Sequence, residues 1–139
     1  MVTPDTSTGV KEEISNNSAI IDAAETGTVT DGLAMEYTDT GTVKIWNGGR
    51  YAGLARVIRG TALGVAEAVA GERVALLRKG QHIAIDSEDD TLKIGQPLTP
   101  TGTAGALRIW DWTATGAHLL VGYCLRTKDA DKKIIVELR

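Results

Sequence analysis

The stretch GALRIW at residues 105–110 repeats, in order and residue type, the stretch GTVKIW at residues 41–46. Lys44 and Arg108 hold the same place in the two stretches, and their offset is 108 − 44 = 64 residues. Further pairs follow in the same order: Ile21-Asp22 with Ile85-Asp86 (85 − 21 = 64), Gly32 with Gly95 (95 − 32 = 63), and Met35 with Leu98. Several residue types therefore recur in one order at nearly one spacing.

We interpret this spacing as a tandem duplication, with repeat one at residues 18–80 and repeat two at about residues 81–139. The alternative is chance similarity between two β segments rich in Gly, Thr and Val. Either half alone would bury only a marginal core, whereas a chain of 139 residues can bury about two-thirds of its unfolded surface. We therefore expect the two halves to pack as one β domain spanning residues 18–139.

The composition is that of an ordinary globular protein, with 42% hydrophobic and 24% charged residues and a net charge of −3. This mild acidity argues against a nucleic-acid partner, which requires a basic face. No apolar run approaches the roughly 20 residues that span a bilayer, so no membrane partner is expected. The N-terminus shows no signal-peptide pattern. Cys124 is the only cysteine, which excludes an intrachain disulfide.

Residues 1–17 (MVTPDTSTGVKEEISNN) are polar and have no sustained hydrophobic period. They cannot bury enough apolar area to offset the entropy lost on ordering, so we expect a flexible N-terminal arm. Two interpretations stay open for this arm. It is either a plain disordered end or a segment that becomes ordered on a partner surface.

Short alternating segments separated by turn residues predict an all-β fold, a small barrel or sandwich. Residues 99–105 (TPTGTAG) are expected to form a loop, and Asn47-Gly48-Gly49 a tight hairpin turn with positive φ. The ambiguous stretch at residues 61–70 is predicted as strand, loop and strand. The predicted strands are at residues 18–22, 33–38, 42–46, 50–58, 72–78, 82–86, 107–112, 119–126 and 134–138.

No set of residues has the spacing of a catalytic or metal site, so we predict no enzyme, no cofactor and no metal. His82 and His118 lack a partner at ligand spacing and are expected to be surface or half-buried histidines. Cys124 lies in an apolar run and is expected to be a buried, inert thiol. The acidic turn at residues 87–90 (SEDD) lacks the alternating ligands of a calcium loop, which favours a solvated turn.

Three tryptophans are the candidate contact residues of the β domain. Trp46 and Trp110 hold matching places in the two repeats, which favours core or interface positions for both. Trp112 lies two residues beyond Trp110. A stacking surface for sugar rings is the alternative function for these side chains.

The order of motifs in the chain resembles that of the small β-rich decoration, or cement, proteins of tailed-virus capsids. The motifs are GVAEAVAGERVALL at residues 64–77, then LRIWDW at 107–112, LVGYCLRT at 120–127 and a closing IIVEL at 134–138. The resemblance covers about residues 33–139.

The resemblance implies a non-enzymatic virion protein, made in the host cytoplasm, that binds the outer surface of an icosahedral capsid. Its expected partner is the major capsid protein, and its expected oligomer is a homotrimer. The N-terminal arm would latch onto the capsid by strand addition. The candidate capsid contacts in the arm are Val2, Thr3, Pro4 and Val10. The alternative function is a carbohydrate- or cell-surface-binding β module that stacks sugars on Trp112, Tyr51 or Trp110; a small hydrolase or metal enzyme ranks third.

Overall fold

The computed structural model describes residues 18–57, 67–87, 91–101, 104–110, 119–127 and 132–138, and these residues form an all-β fold without a helix. The prediction of an all-β fold is confirmed. The strands are β1 (Ser18–Ile20), β2 (Val29–Thr30), β3 (Ala34–Tyr37), β4 (Val43–Ile45), β5 (Tyr51–Val57), β6 (Glu67–Ala68), β7 (Arg73–Leu77), β8 (Gly80–Ile85), β9 (Pro97–Pro100), β10 (Leu107–Ile109), β11 (Gly122–Arg126) and β12 (Lys133–Leu138).

The strands form two five-stranded antiparallel sheets, one in each half of the chain. The first sheet has the order β1-β7-β5-β3-β4, and the second, taken from its own first strand, has the order β8-β12-β11-β9-β10. The two orders are the same, 1-5-4-2-3, when the five strands of each sheet are numbered along the chain and β2 and β6 are left out. A separate two-stranded sheet pairs β2 with β6. A shared strand order is what a tandem duplication would produce, and the duplication itself stays a prediction.

Each five-stranded sheet curls until its two ends meet at a single parallel bridge, as in a small barrel. The bridge of the first sheet joins Ile21 to Val43, and that of the second joins Asp86 to Leu107. Ile21 and Asp86 therefore hold equivalent places in the two sheets, at an offset of 86 − 21 = 65 residues. The predicted match of Ile21 with Ile85 is therefore wrong by one position.

Backbone hydrogen bonds recur at the other corresponding positions. The Gly32 N–H donates to the Ala55 carbonyl at 2.8 Å, and the Gly95 N–H donates to the Cys124 carbonyl at 2.7 Å. The Trp46 N–H donates to Ala34 at 2.9 Å in the same way that the Trp110 N–H donates to Pro97 at 2.8 Å. The predicted pairs Gly32–Gly95 and Trp46–Trp110 thus occupy equivalent places in the two sheets.

Two apolar clusters form the core, and they differ in where their residues come from. The first is built from buried residues of the first half alone, including Met35, Val43 and Leu76, with Ile85 packed against it. The second lies in the second half, but it also contains Ala34 and Leu54 from the first half. In the first sheet, strands β3 and β5 therefore supply side chains both to their own core and to the core of the other half.

Two predictions about loops are wrong. The segment at residues 99–105 is not wholly a loop, because Thr99 and Pro100 belong to β9. The first residue of β9 is Pro97, which corresponds to Ala34. The Ala34 N–H donates outside its own sheet, so a proline, which has no N–H, removes no hydrogen bond of the sheet at this position. Asn47-Gly48-Gly49 has the predicted positive φ at Gly48, +96°, but it is no hairpin turn, because β4 and β5 lie on opposite sides of β3.

Several predictions fall outside the described residues. They concern the arm at residues 1–17, most of the acidic turn, the start of the 61–70 segment, Trp112 and His118. Within the described part of the acidic turn, the Ser87 N–H donates to the Leu107 carbonyl at 2.9 Å.

Candidate interaction surface

Tyr37 stands at the centre of the most organised group of exposed charges in the first half. It ends β3, Arg50 precedes β5, and Arg78 follows β7. Because β3, β5 and β7 are neighbours in the first sheet, the ends of these strands bring the three side chains together. The Arg50 guanidinium carbon lies 5.6 Å from the centre of the Tyr37 ring, and that of Arg78 lies 5.7 Å from it. We call these three residues the Tyr37–arginine cluster.

Direct hydrogen bonds orient one of the two arginines. The Arg78 Nε donates to the Ala52 carbonyl at 2.8 Å, and its Nη2 donates to the Tyr37 hydroxyl. Both guanidinium groups are exposed, and neither forms an ion pair with a carboxylate of the described residues. A cation over an aromatic face is attracted to it by roughly 0.5–1 kcal/mol at exposed sites. The cluster therefore presents two positive charges to solvent, and hydrogen bonds hold that of Arg78 in place.

The position of Arg50 depends on the turn before it, and a buried carboxylate holds that turn. The Glu36 Oε1 accepts hydrogen bonds from the Asn47 N–H and, at 3.1 Å, from the Gly49 N–H. The Lys44 Nζ lies 3.8 Å from Glu36 Oε2. A side-chain Cβ at position 49 would overlap the Glu36 carboxylate, so any other residue there would have to displace that carboxylate. Glu36 thus fixes the backbone from which Arg50 projects.

Trp46 lies at the junction of the two halves. It is half-buried against the second apolar cluster, and its indole Nε1 donates to the Gly49 carbonyl at 3.0 Å. The indole N–H is therefore satisfied within the chain, and the predictions of an interface or stacking role for Trp46 stay predictions.

Trp110 is another predicted contact residue, and it is not part of the Tyr37–arginine cluster. Trp110 is half-buried and follows β10 in the second half. Trp112 and the arm residues lie outside the described part of the chain, which for the arm applies to Val2, Thr3, Pro4 and Val10. The sequence reasoning missed Tyr37, Arg50 and Arg78, because only the strand order brings together residues so distant along the chain.

Tyr51, the other proposed stacking residue, is half-buried. Its ring lies against the second apolar cluster, and its hydroxyl is buried without a hydrogen-bond partner. Burial raises the pKa of the Tyr51 phenol, and the nearby positive charge of Arg78 offsets part of that effect. The buried hydroxyl is therefore not available to hydrogen-bond a ligand.

His82 lies at the contact between the halves and is more buried than the sequence predicts. Its Nε2 lies 3.1 Å from the Ala55 carbonyl oxygen, within hydrogen-bond distance. Burial lowers the pKa of His82, while the Ala55 carbonyl and the charge of Asp31 act in the opposite direction. The prediction of a surface or half-buried histidine is wrong for His82, because the fold places β8 against the first half.

Cys124 is fully buried, as the apolar run around it predicts, and burial raises the pKa of its thiol. A thiol of raised pKa is a poor nucleophile at neutral pH. Across the described residues, no three side chains of His, Cys, Asp or Glu are grouped as a metal site requires. The same part of the chain contains no helix long and apolar enough to cross a bilayer.

Comparisons with protein-family models, with curated proteins and with solved structures found no match to this chain. Its function is therefore argued from the residues and the geometry described above.

Proposed function

We propose that the chain is a virion structural protein that binds the outer surface of an icosahedral capsid and stabilises it. It would be made in the host cytoplasm and act as a homotrimer that bridges neighbouring copies of the major capsid protein. The order of the sequence motifs supports this proposal, and so does the all-β fold, in which two sheets share core residues. The proposal involves no catalytic step, cofactor, nucleic acid or membrane.

The observation that carries the proposal is the Tyr37–arginine cluster. Tyrosine and arginine are the residue types most enriched, with tryptophan, among the hot spots of protein–protein interfaces. An ordered guanidinium loses less side-chain entropy on binding than a free one, and its planar group matches a carboxylate with two parallel hydrogen bonds. We therefore propose that this cluster binds acidic groups on the capsid exterior.

Co-sedimentation with undecorated capsids tests the proposal. The capsids would be those of the virus that encodes this chain, assembled without it. We expect the wild-type chain to sediment with them and the binding of Arg50→Ala to be at least tenfold weaker. Arg56 is an exposed arginine on β5 outside the cluster, so Arg56→Ala makes the same change of charge and serves as the control.

Failure of the wild-type chain to sediment with these capsids overturns the proposal. Equal losses for Arg50→Ala and Arg56→Ala would show that only the overall charge matters and would remove the cluster from the contact. A glycan array makes the converse test, and specific sugar binding there would favour the carbohydrate-binding alternative.

A further inference from the structure

The two halves meet through different faces, which is the geometry of a head-to-tail contact. An ideal Cβ at Gly32 would lie 2.7 Å from the Ile83 carbonyl oxygen, so the backbones approach closely there. Nearby, the Ala34 N–H donates to the Gly105 carbonyl at 2.8 Å. We call the first-half surface face A and the second-half surface face B. Face A comprises Gly32, Ala34 and Ala55, and face B comprises His82, Ile83 and Gly105.

Within one chain, the first half uses its face A and the second half uses its face B. The second half also has a face A of its own, and the first half has a face B. From the shared hydrogen bonds and bridges, the second half has its own face A, where Gly95 and Pro97 correspond to Gly32 and Ala34. The first half has its own face B, where Ser18 corresponds to Ile83 and Gly41 to Gly105. A head-to-tail contact between two similar units leaves one such face unpaired at each end.

The unpaired faces are open toward the rest of the described chain. Among the described residues, no atom outside the immediate chain neighbours lies within 4 Å of an ideal Cβ at Gly95 or at Gly41. Beside Gly95, Ile94 is 70% exposed, the higher of the two large hydrophobic side chains found exposed among the described residues. Its counterpart in the first half is Asp31, which is 2% exposed beside β8. The position that is covered in the first half is therefore open, and apolar, in the second.

We propose that face A of the second half binds face B of the first half of another copy of this chain. The contact repeats between copies the arrangement found within each copy. In the homotrimer of the proposed function, these two faces would form the contacts between copies. The inference rests on the proposed function only for the number of copies. Pro97 has no N–H, so the docked copies lack the counterpart of the Ala34–Gly105 hydrogen bond. Burial of Ile94 is then the main stabilising term of the contact.

Sedimentation-velocity measurements over a range of protein concentrations test this contact. We expect the wild-type chain to self-associate and Ile94→Asp to raise the dissociation constant at least about tenfold. Val69, 51% exposed, lies on the turn between β6 and β7, outside both faces. Val69→Asp is therefore the matched control and should associate as the wild type does. Because both positions are exposed, both variants should melt at the wild-type temperature when the proteins are dilute enough to be monomeric.

Mixing two variants distinguishes a head-to-tail contact from a symmetric one. Thr40→Arg places a bulky side chain beside Gly41 and blocks face B of the first half, while Ile94→Asp blocks face A of the second. Each variant alone should remain monomeric, and an equal mixture should form dimers, because each variant supplies the face that the other lacks. A mixture that stays monomeric overturns the head-to-tail contact.

A wild-type chain that is monomeric at every concentration also overturns the inference. The proposed function is judged separately, by co-sedimentation of the wild-type chain and of Ile94→Asp with undecorated capsids. A monomeric chain that still sediments with capsids would refute this contact and leave capsid binding standing.

Discussion

The backbone N–H of Ala34, in the middle of the first half, donates a 2.8 Å hydrogen bond to the carbonyl of Gly105 in the second half. Gly105 has φ +76°, and an ideal Cβ there would lie 3.1 Å from both the Ala34 carbonyl oxygen and the Leu33 Cβ. The position therefore requires glycine for two independent reasons, its backbone conformation and the closeness of the other half.

Alanine substitution at two corresponding glycines separates these reasons. Gly41 has φ +86° and open space around it, so Gly41→Ala should cost only about 1 kcal/mol, from backbone strain. Gly105→Ala should cost about 1–3 kcal/mol more, because the added methyl group crowds the contact between the halves. Chemical denaturation of the dilute proteins measures both values. Equal losses of stability in the two variants would show that the contact between the halves accommodates the added methyl group without a free-energy cost.

Removal of the Glu36 side chain should destabilise the fold by about 2 kcal/mol, because the N–H groups of Asn47 and Gly49 lose their charged acceptor. Lys44, the exposed partner of Glu36, should matter much less, and Lys44→Ala should cost under about 1 kcal/mol. Urea denaturation of Glu36→Ala and Lys44→Ala compares the two. If the lysine variant loses as much as the glutamate variant, the ion pair and not the turn is the stabilising interaction.

Acidification should destabilise the chain through His82. Its pKa in the folded chain lies below 6.5, the ordinary value expected in the unfolded chain. As the pH falls through 6.5, the unfolded state gains a proton before the folded state does, so stability is lost, by at most about 1.4 kcal/mol per pH unit. Melting temperatures measured from pH 7.5 to 5 should show this fall.

Two variants assign the acid sensitivity to its source. His82→Gln keeps an N–H donor near the Ala55 carbonyl but cannot take up a proton, so its stability should depend less on pH. The chain has only one other histidine, and His118→Gln should keep the wild-type slope. A wild-type slope in His82→Gln would contradict the assignment.

Deletion of residues 1–17 should leave folding nearly unchanged, since β1 begins at Ser18. Under the proposed function it should weaken binding to capsids, because the arm supplies backbone donors and acceptors and the small apolar residues Val2 and Val10. Thermal melting and co-sedimentation measure the two effects. The full-length Val2→Ala/Val10→Ala variant is the milder control, with an intermediate loss expected. Undiminished capsid binding by the truncated chain would place the contact in the β domain.

The sequence predicts much of the fold because most strands carry their own alternating pattern and turn residues. It fails where distant residues decide the outcome. Alternation places Ala34 and Glu36 on the outer face of β3, which a single sheet would expose to water. Both are buried, because the second half covers Ala34 and the turn after β4 covers Glu36. The predicted hairpin at Asn47-Gly48-Gly49 fails for a related reason, since local turn chemistry does not reveal that β3 lies between β4 and β5.

The candidate site was harder to predict than the fold. Tyr37, Arg50 and Arg78 have no characteristic spacing, and an arginine on a β-rich surface is usually only a solubilising charge. The strand order of the first sheet brings the two arginines to one ring. By contrast, the sequence does predict that Trp46 and Trp110 hold corresponding places, because GTVKIW and GALRIW recur in the two halves. Only the structure shows that Trp46 lies at the junction of the halves.

The unequal sharing of the two apolar clusters has a consequence for synthesis on the ribosome. The first half supplies all the buried residues of its own cluster, so we expect its sheet to begin to form before the second half has been synthesised. The second half needs Ala34 and Leu54, which by then are already held in place on β3 and β5. During translation the first half is thus made before the second half, which needs its residues to complete a core. A circular permutant that begins at Gly80 would reverse that order of synthesis.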